Sequence, residues 1–161
     1  MNIGFPGSLL PIRGQKFKDF PLRFWVSKQQ TFSLYHQNYL TMHEHPLTDK
    51  FLHSYAEKKR KRSLWVYVQG SSGTDSSNTV VRRSCERMFK TALFRALEAA
   101  GFEASGRKMG SHTEALHGTI RIYLQEPKAA MKVDFDSLVQ YLTKLINNAT
   151  PQLIIKSSRP K

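Results

Sequence analysis

Residues 64–100 read LWVYVQGSSGTDSSNTVVRRSCERMFKTALFRALEAA. Leu64 to Gln69 is a β-branched and aromatic run, the composition strands prefer. A period of two puts Leu64, Val66 and Val68 on one face and Trp65, Tyr67 and Gln69 on the other. Residues 70–78 are turn-forming throughout. From Thr79 to Ala100 the apolar residues Val81, Cys85, Met88, Phe89, Ala92, Leu93, Ala96, Leu97 and Ala100 recur at steps of three and four, the stripe of an amphipathic helix. Ser77 or Asn78 is placed to cap its start and Gly101 to end it.

The pattern repeats downstream. Phe102 to Lys108 is ambiguous between loop and short strand, and Met109 to Leu116 reads as loop. Thr119 to Gln125 (TIRIYLQ) alternates, with Ile120, Ile122 and Leu124 facing inward and Arg121, Tyr123 and Gln125 outward; Pro127 ends it. A second helix is expected over Asp134–Asn148. Phe135, Leu138, Val139, Leu142, Leu145 and Ile146 share one face, and Asp134 and Asp136 stand at its start, where carboxylates cap and oppose the dipole. Leu153 to Lys156 offers a last strand. Two helices and several one-sided strands are most simply accommodated as an α+β, ferredoxin-like β-α-β-β-α-β sandwich, with both helices on one face of an antiparallel sheet.

The opposite face of such a sheet carries Trp65, Tyr67, Arg121, Tyr123 and Gln125. Rings beside a guanidinium suit single-stranded RNA, because bases stack on rings and arginine meets phosphate. In its order of elements and placing of rings, the stretch from about Ser63 to Lys156 resembles the RNA recognition motif. It departs from that family on the third strand, HGTIRIYL (residues 117–124), where only Gly118 and Tyr123 suggest the glycine-and-aromatic signature. The chain is therefore not assigned to the family. The alternative is that the aromatic face is covered by the chain's own amino-terminal segment.

That segment, residues 1–62, reads as an irregular extension ahead of a globular domain at 63–157 and a short basic tail at 158–161. Pro6, Pro11 and Pro21 with Gly4, Gly7 and Gly14 discourage long elements. Phe5, Phe17, Phe20, Phe24, Trp25, Phe32 and Tyr35 are too many aromatics for a solvated linker, so the segment is expected to lie against neighbouring proteins of a larger assembly. A short helix is expected over Thr48–Tyr55. The extension is poor in acids, as a mitochondrial transit peptide is, but it lacks the arginine and serine content of one.

The 161 residues carry 25 Lys+Arg against 12 Asp+Glu, a net charge of +13. Such an excess points to a polyanionic partner. Lys58-Lys59-Arg60-Lys61-Arg62 is the strongest local signal, readable as a phosphate-contacting patch, a nuclear import tag or a solvated charged run. Arg83, Arg87 and Lys90 share one helix face, and Arg107 and Lys108 sit between Gly106 and Gly110.

No catalytic set emerges. One cysteine excludes a disulfide framework and a Cys-rich zinc site. Cys85 falls on the apolar stripe, as a core thiol would. His43-Glu44-His45 matches no zinc spacing. No cofactor and no metal are expected, and no run nears the roughly 18 apolar residues of a membrane span, so no membrane insertion is expected. The expectation is a non-enzymatic, RNA-binding subunit of a ribonucleoprotein particle, nuclear or mitochondrial. Ribosomal and mitochondrial ribosomal proteins share its style of composition. The competing class is an adaptor or assembly subunit of a nuclear complex with the open sheet face as its protein interface. A nucleic-acid enzyme subunit ranks third, for want of an acidic cluster.

Overall fold

The computed structural model describes residues 3–5, 10–11, 22–42, 45–61, 63–71, 76–111 and 113–156. Arg62, His43, Glu44 and the basic tail at 158–161 lie outside the described residues. The architecture is mixed α+β, with five helices among the described residues around a small mixed sheet of three main strands.

Strand β2 (Leu22–Ser27), strand β5 (Gly118–Leu124) and strand β3 (Leu64–Gly70) form that sheet in the order β2-β5-β3, with the two-residue β1 (Leu10–Pro11) outside β2. β2 runs antiparallel to β5, pairing Phe24 with Ile122 and Val26 with Ile120. β3 runs parallel to β5, pairing Val66 with Ile120 and Val68 with Ile122. The parallel pairing follows from the connection, because β3 returns to β5 through helix α3 (Thr79–Ala99), a crossover that neighbouring parallel strands require. This differs from the expected ferredoxin-like arrangement, whose sheet is antiparallel throughout. The third strand is supplied by β2, from within the stretch read as an irregular extension. Its Leu22, Phe24 and Val26 belong to the same core as the downstream strands.

The helices form where periodicity places them. Asn78 caps α3, its side-chain oxygen accepting from Val81 N–H at 2.9 Å. Cys85, Phe89, Ala92, Leu93, Ala96 and Leu97 are its buried stripe. Helix α5 (Phe135–Leu153) starts at Asp134, whose carboxylate accepts from Ser137 N–H and is held below its ordinary pKa by that bond. It continues beyond the expected end at Asn148 and through Pro151. Ala149 and Leu153 extend its buried face, so packing outweighs the local breaker. Each fully buried Leu, Ile or Phe here contributes roughly 1.5–3 kcal/mol. After the short helix α4 (Pro127–Ala130), α5 leads to β6 (Ile154–Lys156). β6 pairs with β4 (Glu114–Leu116) in a separate two-stranded sheet rather than joining the main one. The 102–108 stretch makes only isolated bridges, Phe102 with Lys108 and Arg107 with Ala115.

The other face of the main sheet is covered by helix α1 (Leu34–Thr41), helix α2 (Thr48–Lys61) and residues 3–5 and 29–33. A second apolar cluster of Ile3, Phe32, Tyr55 and Trp65 lies there, with Leu40, Phe51, Leu52 and Tyr67 against it. The helix expected over 48–55 thus takes in the basic run as far as Lys61.

Gly118 holds β5 against the end of β2. Its φ is +118°, and a Cβ there would overlap the Ser27 carbonyl oxygen. Gly118→Ala is expected to cost about 3 kcal/mol or more, from backbone strain and overpacking. Gly101→Ala, at φ +84° with open space around it, should cost only about 1 kcal/mol. Urea unfolding of the two variants measures both; equal losses would show that the Gly118 contact does not constrain the sheet.

Candidate nucleic-acid interface

Trp65 has no exposed surface. Tyr55 from α2 lies over it, ring centroids 5.4 Å apart, and Phe32 packs edge-on against Tyr55 at 4.9 Å. Tyr67 donates its hydroxyl proton to the Thr31 carbonyl at 3.1 Å. Burial, with Tyr55 nearby, pushes that hydroxyl's pKa far up, against a smaller opposing pull from Arg121. Arg121 is 2% exposed. Its Nη2 donates to the Phe32 carbonyl at 2.9 Å, and its guanidinium carbon lies 5.6 Å from the Tyr67 ring centre. Burial lowers its pKa, while Tyr67 and Tyr55 work in the opposite direction. The face read as an open platform is therefore covered by the chain's own amino-terminal half. Trp65, Tyr67 and Arg121 are spent on internal packing, and Tyr123 is half-buried on the same face.

The helical state of the basic run divides it. Lys58 turns inward, with Nζ 4.7 Å from the Trp65 ring centre and 4.3 Å from that of Tyr67, and it donates to the Tyr67 hydroxyl at 3.2 Å. Electron-rich ring faces favour a cation at such distances. Lys59, Arg60 and Lys61 stay exposed. Arg60 lies 3.8 Å from Glu57, a solvent-exposed pair that contributes little.

Opposite this end of α2 stands the loop that carries Arg107. Gly106 brings it there. At φ +93°, with Leu116 O, the Leu64 side chain and Ser63 Oγ within 3.0 Å of where a Cβ would stand, only glycine lets the loop lie against the start of β3. Leu116 N–H then donates to Gly106 O at 2.7 Å. The result is a cleft of about 410 Å³ that brings Lys59, Arg60 and Lys61 together with Arg107, Ser111 and His117. His117 Nδ1 lies 3.1 Å from the Lys28 carbonyl and donates to it. Glu114 is the one acid on the lining and is paired with Lys108. The C-terminal dipole of α2 opposes an anion with about half a charge, which the four cations outweigh.

Two of the basic groups picked out in sequence thus converge here: Lys59, Arg60 and Lys61 with Arg107. Ser63, Ser111 and His117 had no local signal. Arg83, Arg87 and Lys90 lie apart, exposed on α3, lining a groove of about 350 Å³ beside β3 with Val66, Tyr67, Val68 and Glu86. Cys85 is buried in the core. Among the described residues no three His, Cys, Asp or Glu side chains gather as a metal site, and no helix is long and apolar enough to cross a membrane.

No family model, curated protein or solved structure matches this chain, so its chemistry has to be read from the residues themselves. In the covering layer, the surroundings of one imidazole shift its titration. His36 stacks on Phe51 at 4.2 Å, and its Nδ1 lies 2.9 Å from the Tyr55 hydroxyl. Burial first, and then Lys58, hold its pKa below the ordinary 6.5. The unfolded chain therefore takes up this proton at a higher pH than the folded one. The stability from His36 is complete above pH 6.5 and is lost as pH falls through the folded value. Thermal unfolding between pH 8 and pH 5 should show a falling midpoint that His36→Phe, which keeps the stack, makes shallower. An unchanged pH profile in the variant would show that His36 is not the group responsible.

Proposed function

We propose that this chain is a small, non-catalytic RNA-binding subunit of a ribonucleoprotein particle of the ribosomal or mitochondrial-ribosomal kind, and that it grips the phosphate backbone in the cleft between α2 and the Arg107 loop. The observation that carries this reading is the convergence of Lys59, Arg60, Lys61 and Arg107 on one concave surface. Four cations around a polar cleft match a run of phosphates, and counterion release supplies the affinity. Ser111 adds a hydroxyl for phosphate or ribose oxygens, while Ser63, which donates its hydroxyl proton to the Ser105 carbonyl at 3.0 Å, offers only an acceptor, for a ribose hydroxyl. No Phe, Tyr or Trp lines the cleft and His117 is its one ring, so we read the binding as mainly positional, through backbone charge and shape, which favours structured RNA. The second face of the sheet, which both the RNA reading and the competing adaptor reading invoked, is filled by the chain's own Phe32, Tyr55 and Lys58, so the proposed contact moves to the cleft. The nucleus and the mitochondrion are both compartments in which such a particle is built.

The test is a salt titration with a structured RNA hairpin and a uridine oligonucleotide. Lys59→Ala/Lys61→Ala/Arg107→Ala should weaken binding to both and reduce the salt slope by roughly 2 on the single strand, at about 0.7 per phosphate contact. Trp65→Phe should lower the unfolding midpoint and leave the slope unchanged. A triple variant with the parent's affinity and slope would remove the cleft from the interface.

A further inference from the structure

We propose that the outer edge of β3 receives an extended acidic segment of a partner protein as an added strand. β3 is the terminal strand of its sheet, and among the described residues no strand pairs with its far side. Its backbone directions follow from the hydrogen bonds at its two ends. Ser63 O accepts from Gly118 N–H and Ser71 N–H donates to Leu124 O, so the odd-numbered residues turn their backbone groups toward β5. The even-numbered residues therefore turn theirs outward. Leu64 N–H is taken by Ser105 O at 3.1 Å, and Gly70 N–H by Glu86 Oε1 at 2.7 Å. Between these two stoppers, Val66 and Val68 each direct one N–H and one C=O to the outside. That alternation is what a second strand satisfies.

The chemistry of the incoming strand is set by what stands beside the edge. The groove along Val66, Tyr67 and Val68 is walled by Arg83, Arg87 and Lys90 of α3. All three are exposed, and none is ion-paired among the described residues. The one acid in the groove, Glu86, already accepts at Oε1 from Gly70 N–H and from the Tyr35 hydroxyl at 3.1 Å. A strand laid against Val66 and Val68 would present alternate side chains to this basic wall, and carboxylates are the groups it would favour. An RNA chain fits less well, because its phosphates only accept and its one backbone donor, the 2′-hydroxyl, does not reproduce the alternating N–H and C=O of a strand at Val66 and Val68. The stoppers at Leu64 and Gly70 limit the contact to about three residues of the partner, which suits a short linear segment. The groove shares no lining residue with the proposed RNA cleft, so both surfaces can be occupied at once.

The probe is a capped peptide of about seven alternating glutamates and valines, added to the full chain labelled for NMR. Amide exchange at Val66 and Val68 is expected to slow about ten-fold or more. The matching lysine–valine peptide should have no effect. An acidic peptide N-methylated on alternate amides should lose the protection, because the strand bonds are gone. Arg83→Glu/Arg87→Glu should weaken the acidic peptide about ten-fold or more. Val68→Pro removes one outward N–H and leaves the β5 ladder untouched, so it should abolish the protection while β5 amides stay slow. If that variant does not fold, the charge reversal on the exposed helix face decides alone. Unchanged Val66 and Val68 exchange at millimolar peptide overturns the proposal, as does equal binding of the N-methylated peptide. It is likewise overturned if a uridine oligonucleotide protects these amides in the parent chain and not in Arg83→Glu/Arg87→Glu, since the groove is then an RNA contact.

Discussion

A row of polar groups on the outer face of β5 organises the covering layer. Arg121 is a buried guanidinium with no carboxylate against it among the described residues. Burying a charge that way costs several kcal/mol unless its surroundings compensate. The Phe32 carbonyl and the Tyr67 ring do so in part, while Arg121 Nε is buried with no hydrogen-bond partner among the described residues. One step along the strand, Thr119 Oγ1 donates to the Gln29 carbonyl at 3.1 Å and accepts from Thr31 N–H at 2.9 Å. Gln30 Nε2 reaches the Ser63 carbonyl at 3.0 Å. Residues 29–33 are therefore stitched to the sheet by directional bonds, and the apolar packing of Phe32, Tyr55 and Trp65 fills in around them. A layer held only by apolar area could slide; these bonds give it one register.

That register settles what the basic run can do. α1 and α2 follow directly from residues 29–33, and the pitch of α2 turns Lys58 into the aromatic cluster while Lys59, Arg60 and Lys61 point away from it. The aromatic residues that would make a base-stacking platform serve instead as the seat of the helix that carries the cations. On the proposed reading, the protein gives up a platform for stacked bases and keeps a charged surface of fixed shape. Such an exchange suits a subunit whose place is set by the fold of an RNA more than by its bases.

Much of this was legible in the sequence, and the failures have physical causes. β3, α3, β5 and α5 carry sustained periodicity and form close to where expected, except that α5 runs on to Leu153, which the sequence pattern places at the start of the last strand. β2 had a signal as well, in the alternation of Leu22, Phe24 and Val26. It was obscured because Pro and Gly dominate the residues before it, and six residues give a short window. α2 ran on past Tyr55 because Glu, Lys and Arg are good helix formers in spite of their mutual repulsion. The pairing of β4 with β6 could not be read, since three-residue strands have no period to detect. The basic groups of the cleft were visible as residue types. Their convergence depends on Gly106 and on the direction of α2, which are matters of tertiary packing.

The parallel pairing of β3 also explains why two surfaces can share one strand. A hairpin would have joined the end of β3 to its neighbour through a short turn. The α3 crossover instead lays a helix along the strand and leaves the strand terminal in the sheet. Ser63, at its start, lines the proposed cleft together with α2 and the Arg107 loop. Val66 and Val68, in its middle, line the groove beneath α3. An anion held at the first site and an acidic strand at the second would meet different cations, Lys59 to Lys61 with Arg107 in one case and Arg83 to Lys90 in the other. On the two proposals each ligand would neutralise its own set, so neither would need to displace the other. What composition gives as a single net charge is, in the fold, partly gathered into two separate basic linings, one polar and concave and one along a strand edge.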